Sequence, residues 1–236
     1  MDWSPEALSP REAFQRPSFR TKTDKIFCQE TSSAKLSGGR VPLCFDWRAP
    51  DMFPDLARDD VFRLETRRLW LRWPQASDAR NLAALAGDWE VARFTAHIPH
   101  PYTLEDAERF IRDSRIGNSL GRHLRLVMTL KSGDRSAIGM IGVQTDDGSN
   151  LGYWLGKPYW RQGLAGEAVG AMIDAFFLVT KAPALTAAAM PENAASQAVL
   201  RRIGFRPAGE APAPGRHHGG KALLFALDRE SWARAA

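Results

Sequence analysis

The chain is 236 residues long, 44% hydrophobic and 25% charged, with a formal net charge of +5, a length that suits one domain with an extension or two small domains. No apolar run approaches the roughly 20 residues that a membrane span requires, so neither a membrane segment nor a membrane partner is expected. The basic residues are scattered, 24 Lys and Arg against 20 Asp and Glu from Met52 onward, and the lack of any basic run or RNA-binding signature favours anionic ligands such as phosphates over nucleic acid.

The first segment, MDWSPEALSPREAFQRPSFRTKTDK, has no apolar core of a secretory signal, and its acidic residues argue against a transit peptide. A cytoplasmic location is the default expectation. Residues 1–51 carry Pro5, Pro10, Pro17, Pro42 and Pro50, a Ser-Gly patch, and no sustained apolar period. This stretch is expected to be an extension that does not fold alone, with Met52 as a candidate biological start and 52–236 as the domain. Cys28 and Cys44 both fall in the extension. Neither a disulfide framework nor a metal site is expected, and the domain is left without a cysteine nucleophile.

Periodicity starts after Met52. Leu69, Leu71 and Trp73 alternate with Arg68 and Arg72, the pattern of a half-buried strand. Ser77-Asp78 opens a helix that runs through Ala86 and stops at Gly87, and a short helix is expected over Trp89 to Thr95. Thr103 with Glu105 and Asp106 reads as an N-cap and acidic first turn, with Leu104, Ala107, Phe110 and Ile111 as the buried stripe. Three strands follow, Leu124 to Leu130, Ala137 to Gln144 and Leu151 to Leu155, joined by turns at Lys131–Asp134 and Asp146–Gly148. A helix from Gly163 to Thr180, a strand from Ala184 to Met190, a helix from Asn193 to Ile203 and a strand pair at Phe205 to Ala208 and Ala222 to Leu227 complete the chain. The order β, α, α, an antiparallel meander, then β-α-β-α-β gives a mixed sheet with helices on both faces.

The helix at Gly163 has no Ser, Thr, Asp or Asn to cap it, so its first N–H groups need another partner, and a bound anion is the natural candidate. Gly163, Ala165 and Gly166 would let an anion approach the backbone, and the helix adds its positive dipole end. The competing reading is a tight turn before a buried helix. The loop is neither a P-loop nor a dinucleotide fingerprint. Thirty residues on, Asn193 stands at a helix N-cap with Ser196 one turn in, and Gly204 ends that helix.

Five segments taken together, LETRRLWLRWPQASDARNL, DWEVARFTAHIPHPYTLEDAERFI, IGMIGV, GYWLGKPYWRQGLAGEA and NAASQAVLRRIGF, resemble the GNAT acyltransferase superfamily, and within it the group of RimJ/RimL-type ribosomal-protein N-terminal acetyltransferases. The resemblance covers Leu64 to about Leu227. It implies an α/β fold with a central, mostly antiparallel, twisted sheet of six to seven strands and helices on both faces. It also implies that Arg161, Gln162, Gly163, Leu164, Ala165 and Gly166 cradle the pyrophosphate of acetyl-CoA. Relatives often have Gln or Arg where this chain has Trp160, which shifts the burden to the backbone and Arg161.

The resemblance further implies that the strand carrying Tyr153, Trp154 and Leu155 splays from the strand Ala184 to Met190, and that the pantetheine arm hydrogen-bonds in the gap. A strand N–H there would face the thioester oxygen. Ser196, with Asn193 at the cap, is the candidate donor to the leaving thiolate, since Leu200 stands where many relatives have a tyrosine; the competing reading is a first-turn serine bonded to Asn193 or backbone. Relatives often place a glutamate where this chain has Asn150. The candidate bases are therefore Asp147, Glu90, His217 and His218. Trp89 and Phe94 are the candidate acceptor-site aromatics.

The expected activity is transfer of acetyl from acetyl-CoA to a primary amine, a protein N-terminus or a small molecule, by direct attack in a ternary complex, because the domain offers no cysteine for a covalent intermediate. A non-catalytic CoA-binding domain and an enzyme using another acyl-CoA are the alternatives. No metal is implied, and the chain is expected to act as a monomer or homodimer.

Overall fold

A three-residue strand, β1 (Arg63–Glu65), turns back through Thr66–Arg68 onto β2 (Leu69–Arg72). In β2 the alternation is literal: Leu69 and Leu71 are fully buried while Trp70 and Arg72 are half-buried. The computed structural model describes residues 52–144, 150–213 and 220–235. The extension 1–51, both cysteines, Asp147, His217 and His218 lie outside the described residues.

After β2 come α1 (Ala79–Ala86), α2 (Trp89–Ala92) and α3 (Leu104–Ser119), then the meander β3 (His123–Leu130), β4 (Ala137–Gln144) and β5 (Asn150–Leu155). The helix α4 (Leu164–Val179), β6 (Ala184–Ala189), α5 (Ala194–Ile203), β7 (Arg206–Pro212), β8 (Lys221–Asp228) and α6 (Arg229–Ala235) follow. One eight-stranded sheet runs in the order β1-β2-β3-β4-β5-β6-β8-β7, antiparallel at every step except the parallel pair β5–β6. The expected six to seven strands become eight because β1 is too short for its alternation to show in sequence. The expected mixed architecture stands.

Local chemistry explains the helix starts. Thr103 accepts from the Asp106 N–H while the Asp106 carboxylate accepts from the Thr103 N–H, a reciprocal cap on α3. Asp88 caps α2 by accepting from the Glu90 N–H, and α2 is only one turn, ending short of the expected Thr95. Asp78 is buried and pairs bidentately with Arg72, Nη1 and Nη2 each at 2.8 Å, which locks the entry to α1 onto β2.

The stripe of α3 is a correction. Ala107 and Ile111 are buried, but Leu104 is 43% exposed, and Ser114, Gly117 and Asn118 are buried instead. A Cβ on Gly117 would collide with the His123 ring, and the Asn118 amide brackets the Arg125 backbone at 2.8 and 2.9 Å. The last turns of α3 thus bury small and polar residues to receive β3.

The two faces of the sheet hold separate cores. One gathers Leu69, Leu126, Met128, Ile141, Leu151 and Leu155 against Val169, Met172, Ile173 and Phe176 of α4. The other packs Val127 and Met140 against Leu82 of α1 and Ala107 and Ile111 of α3. Each fully buried Leu, Ile or Phe contributes about 1.5–3 kcal/mol. Tyr153 packs against the first core and Trp154 against the second, as strand alternation demands. Consequently β5 presents chemistry to both sides of the sheet.

Candidate active site

The parallel pairing of β5 with β6 consists of Asn150↔Thr186 and Leu151↔Ala187 and then stops, although β5 continues to Leu155 and β6 to Ala189. The Gly156 N–H donates to the Ile138 carbonyl of β4. By the alternation of strand backbones, the N–H and C=O of Tyr153 and Leu155 therefore point away from β4 and into the gap. The Leu155 carbonyl there accepts from the Trp160 indole N–H at 2.7 Å. Trp160 thereby ties the loop to the end of β5.

That loop is wound to present its backbone. Arg161 and Gly163 both have left-handed φ, 62° and 73°, a conformation natural to glycine and uncommon in a residue with a Cβ. Gly163 is the N-cap of α4 and no side chain caps the helix; the first backbone bond back to it is from the Glu167 N–H. The N–H groups of Leu164, Ala165 and Gly166 precede that bond, so helix geometry gives them no intrahelical acceptor. A Cβ at Gly166 would meet nothing within 4 Å, leaving room for a ligand. Alternating left-handed residues followed by a helix start form an anion-binding concavity, and the loop fits a diphosphate.

A clamp that is not evident from the sequence holds this concavity in place. Glu167, in the first turn of α4, accepts from the Thr66 hydroxyl at 2.6 Å, the Arg68 N–H at 2.6 Å and the Arg68 Nε at 2.7 Å. Arg68 Nη1 then donates to the Gln162 carbonyl at 2.8 Å, and its Nη2 would lie 3.5 Å from a Cβ on Gly163. Burial raises the Glu167 pKa more than any other single influence, yet the bonds from Thr66 and Arg68 together outweigh it and hold the carboxyl below its ordinary value. The β1–β2 turn is thereby bolted to the loop. The available signal was the Thr-x-Arg spacing at 66–68, which reads as an ordinary strand entry.

Across the gap, Asn193 caps α5, its Oδ1 accepting from the Ser196 N–H at 3.0 Å. The Ser196 Oγ lies 2.9 Å from the Tyr153 hydroxyl. Burial raises the Tyr153 pKa and the contact with Ser196 offsets only part of that, so the phenol stays protonated. The structure thus brings Tyr153, Asn193 and Ser196 together, with the loop at 161–166 at the far end of the same strand. Gln162 bonds back to the Pro158 carbonyl through its side chain.

Trp154 faces the other side of β5 and lines a cleft of about 300 Å³ with His97, Tyr102, Asp106, Phe110 and Asp113. Burial, reinforced by the Asp106 carboxylate and opposed by Arg109, pushes the Tyr102 pKa up to about 12. Hydrogen bonds from the Thr103 hydroxyl and N–H, with Arg109 adding, hold Asp106 below the usual carboxylate range. Arg109, which also lines the cleft, pairs with Asp106, so the pair is close to neutral and Asp113 is the further carboxylate among the aromatic rings. Trp89 and Phe94 sit elsewhere: Trp89 packs on the His100 ring at 5.2 Å and Phe94 carries the Arg93 guanidinium at 4.1 Å. Glu90, a candidate base, pairs with Arg93 at 3.0 Å.

Comparison with known proteins bears on this geometry. The family model of the acetyltransferase (GNAT) domain matches residues 68–206. The chain is 30% identical over 152 residues to the uncharacterised N-acetyltransferase p20 of Bacillus licheniformis, covering 62% of this chain and 83% of that protein. Among solved structures, Mycobacterium smegmatis RimJ in complex with CoA-disulfide superposes with a TM-score of 0.64 at 20% identity, covering 72% of this chain and 88% of that one. The ribosomal-protein-S5-alanine acetyltransferase of Vibrio fischeri superposes with a TM-score of 0.62 at 21% identity, over 72% and 98% of the two chains.

Proposed function

The chain belongs to the GNAT acetyltransferase family, and from that premise we propose that it transfers the acetyl group of acetyl-CoA to a primary amine by direct attack in a ternary complex in the cytoplasm. The observation that carries this reading is the loss of β5–β6 pairing beyond Leu151, which opens the edge of Tyr153 and Leu155 beside an uncapped helix start.

In this reading the N–H groups of Gly163, Leu164, Ala165 and Gly166 take the diphosphate, with Arg161 and Gln162 shaping the loop around it. The Tyr153 and Leu155 backbone groups hold the pantetheine arm as an added strand. Acetyl-CoA supplies the activated thioester. A strand N–H from Tyr153 or Leu155 stabilises the oxyanion as the amine attacks, and Ser196, set in place by the Asn193 cap, donates to the departing sulfur.

The acceptor enters by the cleft at Trp154. Asp106 is paired with Arg109, which leaves the Asp113 carboxylate to suit an amine that arrives protonated, and the Tyr102, Phe110 and Trp154 rings suit a cation and its apolar flank. One superposed structure is named a ribosomal-protein-S5-alanine acetyltransferase, which supports testing a protein N-terminus alongside small-molecule amines as acceptor.

Thermal unfolding of the full chain with and without acetyl-CoA tests the cofactor half of this reading. Ligand at 100 times its Kd should add about 2.7 kcal/mol, a rise of roughly 5–10 °C for a domain of this size. No shift at millimolar acetyl-CoA sinks the reading before any acceptor is tried.

A further inference from the structure

The contact between Tyr153 and Ser196 joins β5 to α5 across the mouth of the gap, where the β5–β6 ladder has already ended. We propose that these two hydroxyls act as one donor unit: Tyr153 donates to the Ser196 Oγ, and Ser196 donates onward to the sulfur of the coenzyme A thiolate. The inference rests on the acetyl-CoA reading above and adds Tyr153 to the residues that act on the reacting atoms through Ser196, a positioning and polarising role.

Three observations point the chain of hydrogen bonds in this direction. A hydroxyl has one proton to give; the Tyr153 hydroxyl has two acceptors in reach, the Ser196 carbonyl at 3.4 Å and the Ser196 Oγ at 2.9 Å, and the phenol, the more acidic of the two hydroxyls, is the better donor at the shorter contact. The Ser196 backbone N–H is already held by Asn193 at 3.0 Å, which fixes the first turn of α5. Among the described residues the Ser196 hydroxyl makes no bond back to the preceding turn, the usual fate of a helical serine, so its proton is left for a ligand in the gap. Donation by the phenol polarises the serine O–H, the cooperative strengthening expected of a hydrogen-bond chain in a partly buried site. Burial keeps the phenol protonated and so able to donate.

The electron balance is simple. The amine, arriving protonated, gives one proton to water before attack; its lone pair then forms the N–C bond as the carbonyl π pair moves to oxygen, the second proton passes to water, and as the pair on oxygen returns the C–S bond breaks with its pair on sulfur. The thiolate leaves as the anion, stabilised by the Ser196 O–H, and neither hydroxyl changes its protonation state.

The test uses the full chain and coenzyme A itself, so that no acceptor is needed. The fraction of bound coenzyme A present as thiolate at about pH 8, near the ordinary thiol pKa, is read from ultraviolet absorbance for the native protein, Tyr153→Phe, Ser196→Ala and the double variant. The native protein should hold more thiolate than free coenzyme A at the same pH. Each single variant should lower the ionisation constant of the bound thiol about tenfold, the scale of one charge-assisted hydrogen bond. The double variant should fall no further than Ser196→Ala, because a unit is lost only once. With an acceptor in hand, both single variants should lower kcat and leave the KM for acetyl-CoA unchanged. If Tyr153→Phe leaves the thiolate fraction as in the native protein, or if the two losses multiply, the relay is overturned while cofactor binding stands. If calorimetry detects no coenzyme A binding to the native protein, the acetyltransferase reading fails and takes the relay with it.

Discussion

The two ends of α4 are finished in opposite ways. At its C-terminal end Arg229 donates to the carbonyls of Phe177, Thr180 and Ala182 at 2.6, 2.8 and 2.9 Å, and the Thr180 hydroxyl donates to Phe176 at 2.7 Å. Trp232 then stacks on Phe177 at 5.2 Å and its indole donates to Asp174. At the N-terminal end no side chain caps the helix, and the one carboxylate in the first turn, Glu167, spends both oxygens on Thr66 and Arg68. Five side-chain donors thus finish one helix end, while the carboxylate nearest the other is engaged by the β1–β2 turn, the pattern expected if a ligand takes that second end. Orphan N–H groups inside a rigid loop mark a ligand site in a way that glycine content alone does not.

Substitutions at the two ends should separate the roles. The largest effect is expected from Gly163→Val, which puts a β-branched side chain at a left-handed φ of 73°, against the Arg68 guanidinium that braces the loop. It should abolish the acetyl-CoA-induced thermal shift, a loss of at least about 100-fold in affinity, at a cost in stability of about 1–3 kcal/mol. Arg229→Ala should do the reverse. Removing its carbonyl contacts should cost about 2 kcal/mol, a fall of roughly 4–8 °C, with the Kd for acetyl-CoA unchanged in calorimetry. Equal effects of both variants on affinity would erase the distinction between the ends.

The sequence disclosed one of these ends and hid the other for physical reasons. The missing cap before Leu164 is local, so reading outward from Gly163 sufficed, and the apolar run of β4, buried on both faces, gave Ala137–Gln144 at both ends. The seven-residue α6 went unseen because its cap, Asp228, is also the last residue of β8 and the apolar alternation runs straight into it. Its partner surface on α4 is about 50 residues away in sequence. The same distance hid the clamp: Arg68 and Glu167 are 99 residues apart, and no period or motif links them. Leu104 fits the spacing of the α3 stripe yet is exposed, and spacing alone does not show that the far end of α3 buries Gly117 and Asn118 against His123 and Arg125 of β3. Residues that share one element, such as Tyr153 and Leu155 on β5, are legible together in the sequence; pairings between elements are not.

The smallest effect, and the one that tests the clamp, lies in acid. Glu167 has its pKa lowered in the folded chain, so its contribution is fully present above the unfolded value, about 4.3, and is lost as the pH falls through the lower folded value. Stability measured by denaturant unfolding should therefore decline below about pH 4.5, with other lowered carboxylates such as Asp228 sharing the decline. Glu167→Gln removes one contributor and should make that decline shallower, while costing about 1 kcal/mol at neutral pH because the amide can still accept from Thr66 but no longer pairs with the Arg68 charge. The half-exposed setting of Arg68 keeps the figure small. Affinity should respond too: a loop no longer bolted to the β1–β2 turn pays an ordering cost on binding, so acetyl-CoA affinity should fall a few-fold with the Arg229→Ala control unmoved. A Glu167→Gln protein with native affinity and a native acid profile would mean that the left-handed Arg161 and Gly163 hold the cradle unaided, and that the clamp serves only to pin β1 to the sheet edge.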